Sequence, residues 1–213
     1  MNNIIKIYEF LKYNRNKKYP SHNSQNILKL FPYVNDPKFK KSYDILSKLC
    51  EKNVVMHSLA VSLYTYELGL NIKNKGHTIN LDLAVIGALL HDIGRSLSHG
   101  IDHGVKGGEI LRKYKFSNEI VLITERHIGA GIPKNEAMEI GLPPKDYIPI
   151  TLEEKLVAHC DNLISDIERV DITYTINKLR KKLLLSSNNH PAILRILRLN
   201  NEINNLLNNK NNI

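Results

Sequence analysis

Cysteine is scarce in this chain: Cys50 and Cys160 are the only two in 213 residues. Two thiols do not make a disulfide framework, so a reducing cytoplasm is the expected compartment and both cysteines are expected in the core. No apolar run approaches the roughly 20 residues needed to cross a bilayer. The start, Met1-Asn2-Asn3-Ile4, does not read as a signal peptide, and no membrane partner is expected. A strand signal is missing too: apolar and polar residues nowhere alternate convincingly with a period of two, and no segment repeats at a fixed interval. No motif interleaves aromatic and basic residues as an RNA-binding module does. What remains is a length that suits one well-filled core rather than two.

Positive charge is plentiful but uneven. Of the net charge of +9, residues 1–56 carry +7, residues 57–164 carry −2 and residues 165–213 carry +4. Basic flanks can recruit polyanions such as RNA or nucleotides. A Lys/Asn/Ile-rich coding bias is the plainer account of the same composition, so RNA stays in second place as a partner.

Apolar spacing predicts an all-α chain. Helices are expected over residues 2–13 and 24–31, separated by a polar loop, and from Pro37, capped by Asp36, towards Cys50. Asn53 is read as the cap of a helix reaching about Leu68, whose apolar face (His57, Ala60, Val61, Tyr64, Leu68) carries His57 inward; residues 71–80 are read as a loop. The near-continuous apolar segment 81–93 is read as a buried helix that ends at Gly94, a glycine past the helix end. Three glycines in the next helix, 103–111, cost helix stability and predict close packing of helix on helix. Ser117 opens a helix reaching His127. A proline-rich connection over 132–150, with one turn near 135–139, leads to the capping box Thr151-Leu152-Glu153-Glu154, which opens the helix carrying Asp161. A last pair is expected at about 171–185 and 191–207, before an Asn-rich tail over 208–213.

The stretch Leu89-Leu90-His91-Asp92-Ile93-Gly94-Arg95 organises the rest. An imidazole beside a carboxylate at the end of a buried helix needs a partner, a hydrogen bond or a metal. His57, His103, His127 and Asp161 lie on or at the ends of other predicted helices, and a helical bundle can bring such positions together. Four imidazoles and two carboxylates form a ligand set for one or two divalent cations. Mixed nitrogen and oxygen donors put iron or manganese, then zinc, cobalt or nickel, ahead of calcium or magnesium. The absence of thiolate argues against a structural zinc knot.

The order His57, His91-Asp92, Asp161 resembles the HD superfamily of metal-dependent phosphohydrolases, in its HDIG branch. His103-Gly104-x-x-Gly107 followed by a helix, and His127 before a glycine, resemble its six-ligand dinuclear subgroup, a layout shared with bacterial diadenosine tetraphosphate hydrolases of the HD type. Residues 41–207 also resemble short single-domain HDIG proteins of archaea, above all over 91–95, 100–104, 125–132, 141–147 and 153–164. One departure is Gly108, where relatives usually carry alanine. The resemblance implies an HD-type helical bundle over 41–207 with an N-terminal helical extension over 1–40. It also implies that Asp92 bridges two metals, with His57, His91 and Asp161 completing one site and His103 and His127 the other.

Chemistry then follows on physical grounds. Two neighbouring cations lower the pKa of a shared water, and the resulting metal-bound hydroxide can attack phosphorus while the cations neutralise the ester. The expected activity is hydrolysis of a nucleotide or other small phosphate ester. Arg95 is a candidate for binding a phosphate oxygen, with Lys106, Arg126 and Lys155 behind it. His99 and Asp102 are candidates for orienting ligands or moving a proton. Alternatives remain: His103 and His127 lining the pocket of a mononuclear enzyme, Arg95 in a loop salt bridge, His99 and Asp102 in loop hydrogen bonds. At the level of function, a di-iron oxygenase and a non-catalytic nucleotide- or partner-binding module are the rivals. The sequence leaves self-association open.

Overall fold

A computed structural model describes residues 32–184 and 187–208. The helices expected over 2–13 and 24–31, and the Asn-rich tail beyond residue 208, lie outside the described residues.

The central element is α3 (Leu81–Leu90), capped by the Asn80 side chain on the Leu83 amide. Its residues from Ala84 to Leu90 are all buried. A helix apolar on every side can only sit inside a layer of others. Around it pack α1 (Pro37–Leu49), α2 (Lys52–Asn74), α5 (Asn118–Arg126) and α7 (Leu152–Asn162). α4 (His103–Lys113) lies on α5, and α9 (Pro191–Asn208) lies on α7 and against α8 (Ile172–Lys182). Asp36 caps α1 as expected, its carboxylate accepting from the Phe39 amide at 2.8 Å. Phe39 is fully buried and Tyr33, in the 3-10 turn Pro32–Asn35, belongs to the same core. The core therefore continues on the N-terminal side of residue 41. A satellite cluster of Ile132, Ala137, Leu142 and Tyr147 fills the proline-rich connection, which holds the short α6 (Lys134–Glu139).

Five expectations need correction. α2 does not begin at Asn53 or stop near Leu68: Glu51 precedes its first turn and it runs to Asn74. Ile72 continues its apolar face into the core, so the polar residues 71, 73 and 74 only decorate the outside. α3 ends at Leu90 rather than 93, with His91 as its C-cap and a 3-10 turn over Ile93–Ser96. Gly94 is not a left-handed cap. A Cβ there would meet the His103 carbonyl oxygen at 1.9 Å and the Gly107 nitrogen at 2.4 Å, so glycine is needed for backbone contact with α4. A small antiparallel hairpin does exist: β1 (Ile164–Ser165) pairs with β2 (Glu168–Arg169) directly after α7. Two-residue strands carry too little alternation to be read from sequence. Cys160 is buried, but Cys50 is only half-buried.

The glycine-rich stretch of α4 packs closely, as expected. A Cβ at 107 would meet the Thr124 methyl at 2.5 Å, and one at 108 the Glu125 carboxylate at 2.5 Å. α4 and α5 thus approach almost backbone to backbone, which brings the first residue of one, His103, beside the last turn of the other.

Candidate metal centre

Six side chains converge at the C-terminal end of α3. His91 and Asp92 leave that end directly; His103 starts α4, His127 caps the end of α5, Asp161 lies on the last turn of α7, and His57 comes from the second turn of α2. The Asp92 carboxylate stands between two groups. Its Oδ2 faces the Nε2 atoms of His91 at 3.7 Å and His57 at 3.9 Å. Its Oδ1 faces the Nε2 atoms of His103 at 3.1 Å and His127 at 3.5 Å. Asp161 closes the first group, with Oδ1 at 2.9 Å from His57 Nε2 and 3.4 Å from His91 Nε2.

All four imidazoles are oriented alike. Nδ1 meets a backbone carbonyl: that of Ala88 for His91, Gly100 for His103, Thr124 for His127, each at 2.7 Å, and that of Asp166 for His57 at 2.8 Å. A carbonyl cannot donate, so each Nδ1 carries the proton and each Nε2 is left to face the centre with its lone pair or a second proton. The Nε2 atoms of His103 and His127 lie 3.1 Å apart. Buried His91 Nε2 and Asp92 Oδ1 make no hydrogen bond. Such atoms in a dry interior need positive charge among them, as protons or as a metal ion.

The titration behaviour agrees. Burial resists charging His91, but Asp92 and Asp161 outweigh it and raise its pKa to about 9. Burial likewise opposes ionisation of Asp92 and Asp161, yet His91 above all holds both well below the usual carboxylate range. For His127 burial wins and its pKa falls. Two sets of donor atoms lie close enough to share an ion: His57, His91 and Asp161, and His91, Asp92 and His127. His103 Nε2 borders the second set at 3.1 Å from both Asp92 and His127. The donors fit a divalent metal with nitrogen and oxygen ligands.

The other candidates are less concentrated. Arg95 reaches the cluster, its Nε donating to Asp92 Oδ2 at 2.6 Å while its side chain is 31% exposed. His99 is exposed on the neighbouring loop. Asp102 accepts from Ser98 within that loop. Lys106 pairs with Glu109, Arg126 makes two bonds to buried Glu154, and Lys155 pairs with Glu202. These three cations meet those carboxylates, not the six-residue cluster. The Thr151 cap forms as read, accepting from the Glu154 amide, but the Glu154 carboxylate binds Arg126 and the Ile150 amide instead of returning to Thr151. Sequence reasoning missed Asp166, whose carbonyl lies 109 positions from the imidazole it holds. It missed as well the three carbonyls supplied from position i−3 at helix ends, although a histidine at a helix terminus is a usable signal for those.

A model of the HD domain matches residues 54–166, which hold all six clustered residues. An uncharacterised protein of Methanocaldococcus jannaschii is 60% identical over 169 residues, covering 79% of this chain and 98% of that protein. A tRNA (cytidine(56)-2'-O)-methyltransferase of Picrophilus torridus is 48% identical over 121 residues, 57% of this chain but 34% of that enzyme. A Ribonuclease Y of Thermosipho melanesiensis is 33% identical over 149 residues, 68% of this chain and 24% of that enzyme. The chain thus spans about a third of one named enzyme and a quarter of the other. No solved structure matches.

Proposed function

This chain belongs to the HD domain family, and from that premise we propose that it is a metal-dependent phosphohydrolase acting on a nucleotide or other small phosphate ester. The observation that carries this reading is the division of Asp92. One carboxylate offers one oxygen towards His57 and His91 and the other towards His103 and His127, with His91 close enough to belong to both donor sets, amid buried polar atoms that lack hydrogen bonds.

In this reading His57, His91, Asp92 and Asp161 hold one divalent cation, and Asp92, His103 and His127 a second, with iron or manganese favoured. Such cations supply Lewis acidity towards a water and a phosphate oxygen. The chain's own residues do the rest. The carbonyls of residues 88, 100, 124 and 166 fix the imidazoles with Nε2 forward, so no reorientation is needed on binding. His91 and His127 form a buried floor, whereas His57 and Asp161 are about one-fifth exposed. Substrate therefore enters over His57 and Asp161, where partly exposed Arg95 can turn from Asp92 to a phosphate oxygen. His99 and Asp102, on the loop after Arg95, serve as the proton-handling and orienting groups of the reading. We take residues 41–207 as the hydrolase unit, with the core extended to Tyr33. Among the described residues no helix is long and apolar enough to cross a membrane, and a cytoplasmic location is part of the reading.

RNA is the substrate class to test second. The names of two relatives are those of enzymes acting on RNA. Between Asp171 and Glu202 this chain has six Lys/Arg and no acidic residue, and Lys178, Lys181, Lys182 and Arg198 are exposed. Polyanion binding follows such unbalanced charge.

The test is metal content per chain, for protein purified without chelator and without oxygen, in wild type and His127→Ala, followed by phosphate release from nucleotides and short RNAs with Mn2+. Two metals in wild type, fewer in the variant, and hydrolysis without oxygen consumption are expected. Oxygen-dependent turnover, or tight nucleotide binding with no turnover under any metal, would overturn the reading.

A further inference from the structure

Three of the four clustered imidazoles are held by their own helix or its approach. His91, His103 and His127 each find the carbonyl three residues earlier in sequence. His57 does not: its Nδ1 meets the carbonyl of Asp166, in the turn of the small hairpin after α7. That carbonyl is aimed by an unusual backbone, since Asp166 has φ of +55°, a left-handed conformation in a residue other than glycine.

The hairpin is fastened to the helix that carries His57. The Arg169 guanidinium lies 4.1 Å over the Tyr64 ring and pairs with the Glu67 carboxylate. Tyr64 is seven residues after His57, on the same face of α2. At its base, the Val170 amide donates to the Leu163 carbonyl at 2.9 Å, and Ile164 is buried in the core. Its turn thus meets α2 in the second helical turn, at His57, and its second strand meets α2 further along, at Tyr64 and exposed Glu67, while its first strand follows directly on the helix bearing Asp161. A six-residue device spans both partners of the His57–Asp161 pair.

We propose that the hairpin 164–169 is the positioning element of the outer metal site, with Asp166 holding His57 through its backbone carbonyl and Arg169 clamping the hairpin to α2. This rests on the metal-site reading above. Partners that orient a ligating imidazole typically change metal affinity about 10–100-fold when lost. Their loss here should weaken the site made by His57 and Asp161 and spare the one made by His103 and His127.

The experiment compares Asp166→Val, Asp166→Gly and Arg169→Ala with wild type. Valine is branched at Cβ and disfavours a left-handed φ, whereas glycine accepts it and keeps the carbonyl. Two readouts are taken: stepwise Mn2+ binding on apo-protein, and the His57 Nδ1–H NMR signal with its solvent exchange in metal-free protein. Circular dichroism checks folding. Expected are a loss of about tenfold or more in one Mn2+ step and faster exchange of the His57 proton for Asp166→Val and Arg169→Ala, with wild-type behaviour restored in Asp166→Gly. Folded Asp166→Val and Arg169→Ala with unchanged binding and an unchanged His57 signal would overturn the proposal. If Asp166→Val does not fold, Arg169→Ala decides alone. Wild-type protein that binds no Mn2+ would count against the metal-site reading, and the exchange of the His57 proton would still decide the role of the hairpin.

Discussion

The two halves of the Asp92 cluster are built differently. On the Oδ1 side, His103 and His127 are almost fully buried, each takes its orienting carbonyl from three residues earlier, and glycines bring their helices together. On the Oδ2 side His91 is built in the same local way, but His57 and Asp161 are partly exposed, come from helices 104 positions apart, and depend on a hairpin to align one of them. The contrast separates two ways of making a polar site in a helical core. One uses local helix-end geometry and tight backbone approach, so it tolerates least added volume where the neighbour is backbone. The other uses side chains clamped over distance, so it tolerates volume but not loss of the clamp.

Breaking both halves together should have the largest effect. Asp92→Ala removes the carboxylate that, among the described residues, faces both, and metal content should fall to background with turnover lost; retained activity would sink the dinuclear reading. Next comes Gly94→Ala, which puts a methyl group against the backbone of His103 and Gly107. The cost should reach about 3 kcal/mol or more, read as a lower denaturation midpoint, because backbone cannot step aside as a side chain does. Gly107→Ala and Gly108→Ala then sharpen the comparison. At 107 the obstacle is the Thr124 methyl on a buried, β-branched side chain, and about 1–3 kcal/mol should be lost. At 108 it is the buried Glu125 side chain, from Cγ at 2.7 Å to a carboxylate oxygen at 2.5 Å, which has to turn aside with its Lys145 and Arg112 partners but displaces no backbone. The gain in helix propensity, about 1 kcal/mol, should then nearly cancel the cost. Equal destabilisation by the two substitutions would contradict this account of the α4–α5 contact. The smallest effect is expected far from the cluster. Replacing Lys178, Lys181 and Lys182 by Gln should flatten the salt dependence of single-stranded RNA binding by about two in log–log slope, and an unaltered slope would remove α8 from any RNA path.

Legibility followed chain distance. The helical class, the caps of Asp36 and Thr151, the glycine-marked contact of α4 and the six clustered residues could all be read from residue type and spacing, because helix periodicity and capping act within a few positions. The length of α2 was misread because residues 71–74 are mostly polar, and only the packing of Ile72 keeps that turn inside the helix. Gly94 reads in sequence as a glycine past a helix end, but what requires it is the backbone of His103 and Gly107, which spacing along one helix does not show.

By itself the sequence determined which chemistry was available: four imidazoles, two carboxylates and an arginine, delivered to helix ends by an apolar pattern that leaves α3 no place but the centre. Only the tertiary structure decided how they divide. It placed Asp92 between two groups of imidazoles, turned Arg95 onto Asp92, tied Arg126 to Glu154 and brought the Asp166 carbonyl to His57. The physical reason is that spacing along a helix fixes a direction for each side chain, whereas a partner across 109 positions is fixed only when the whole core closes.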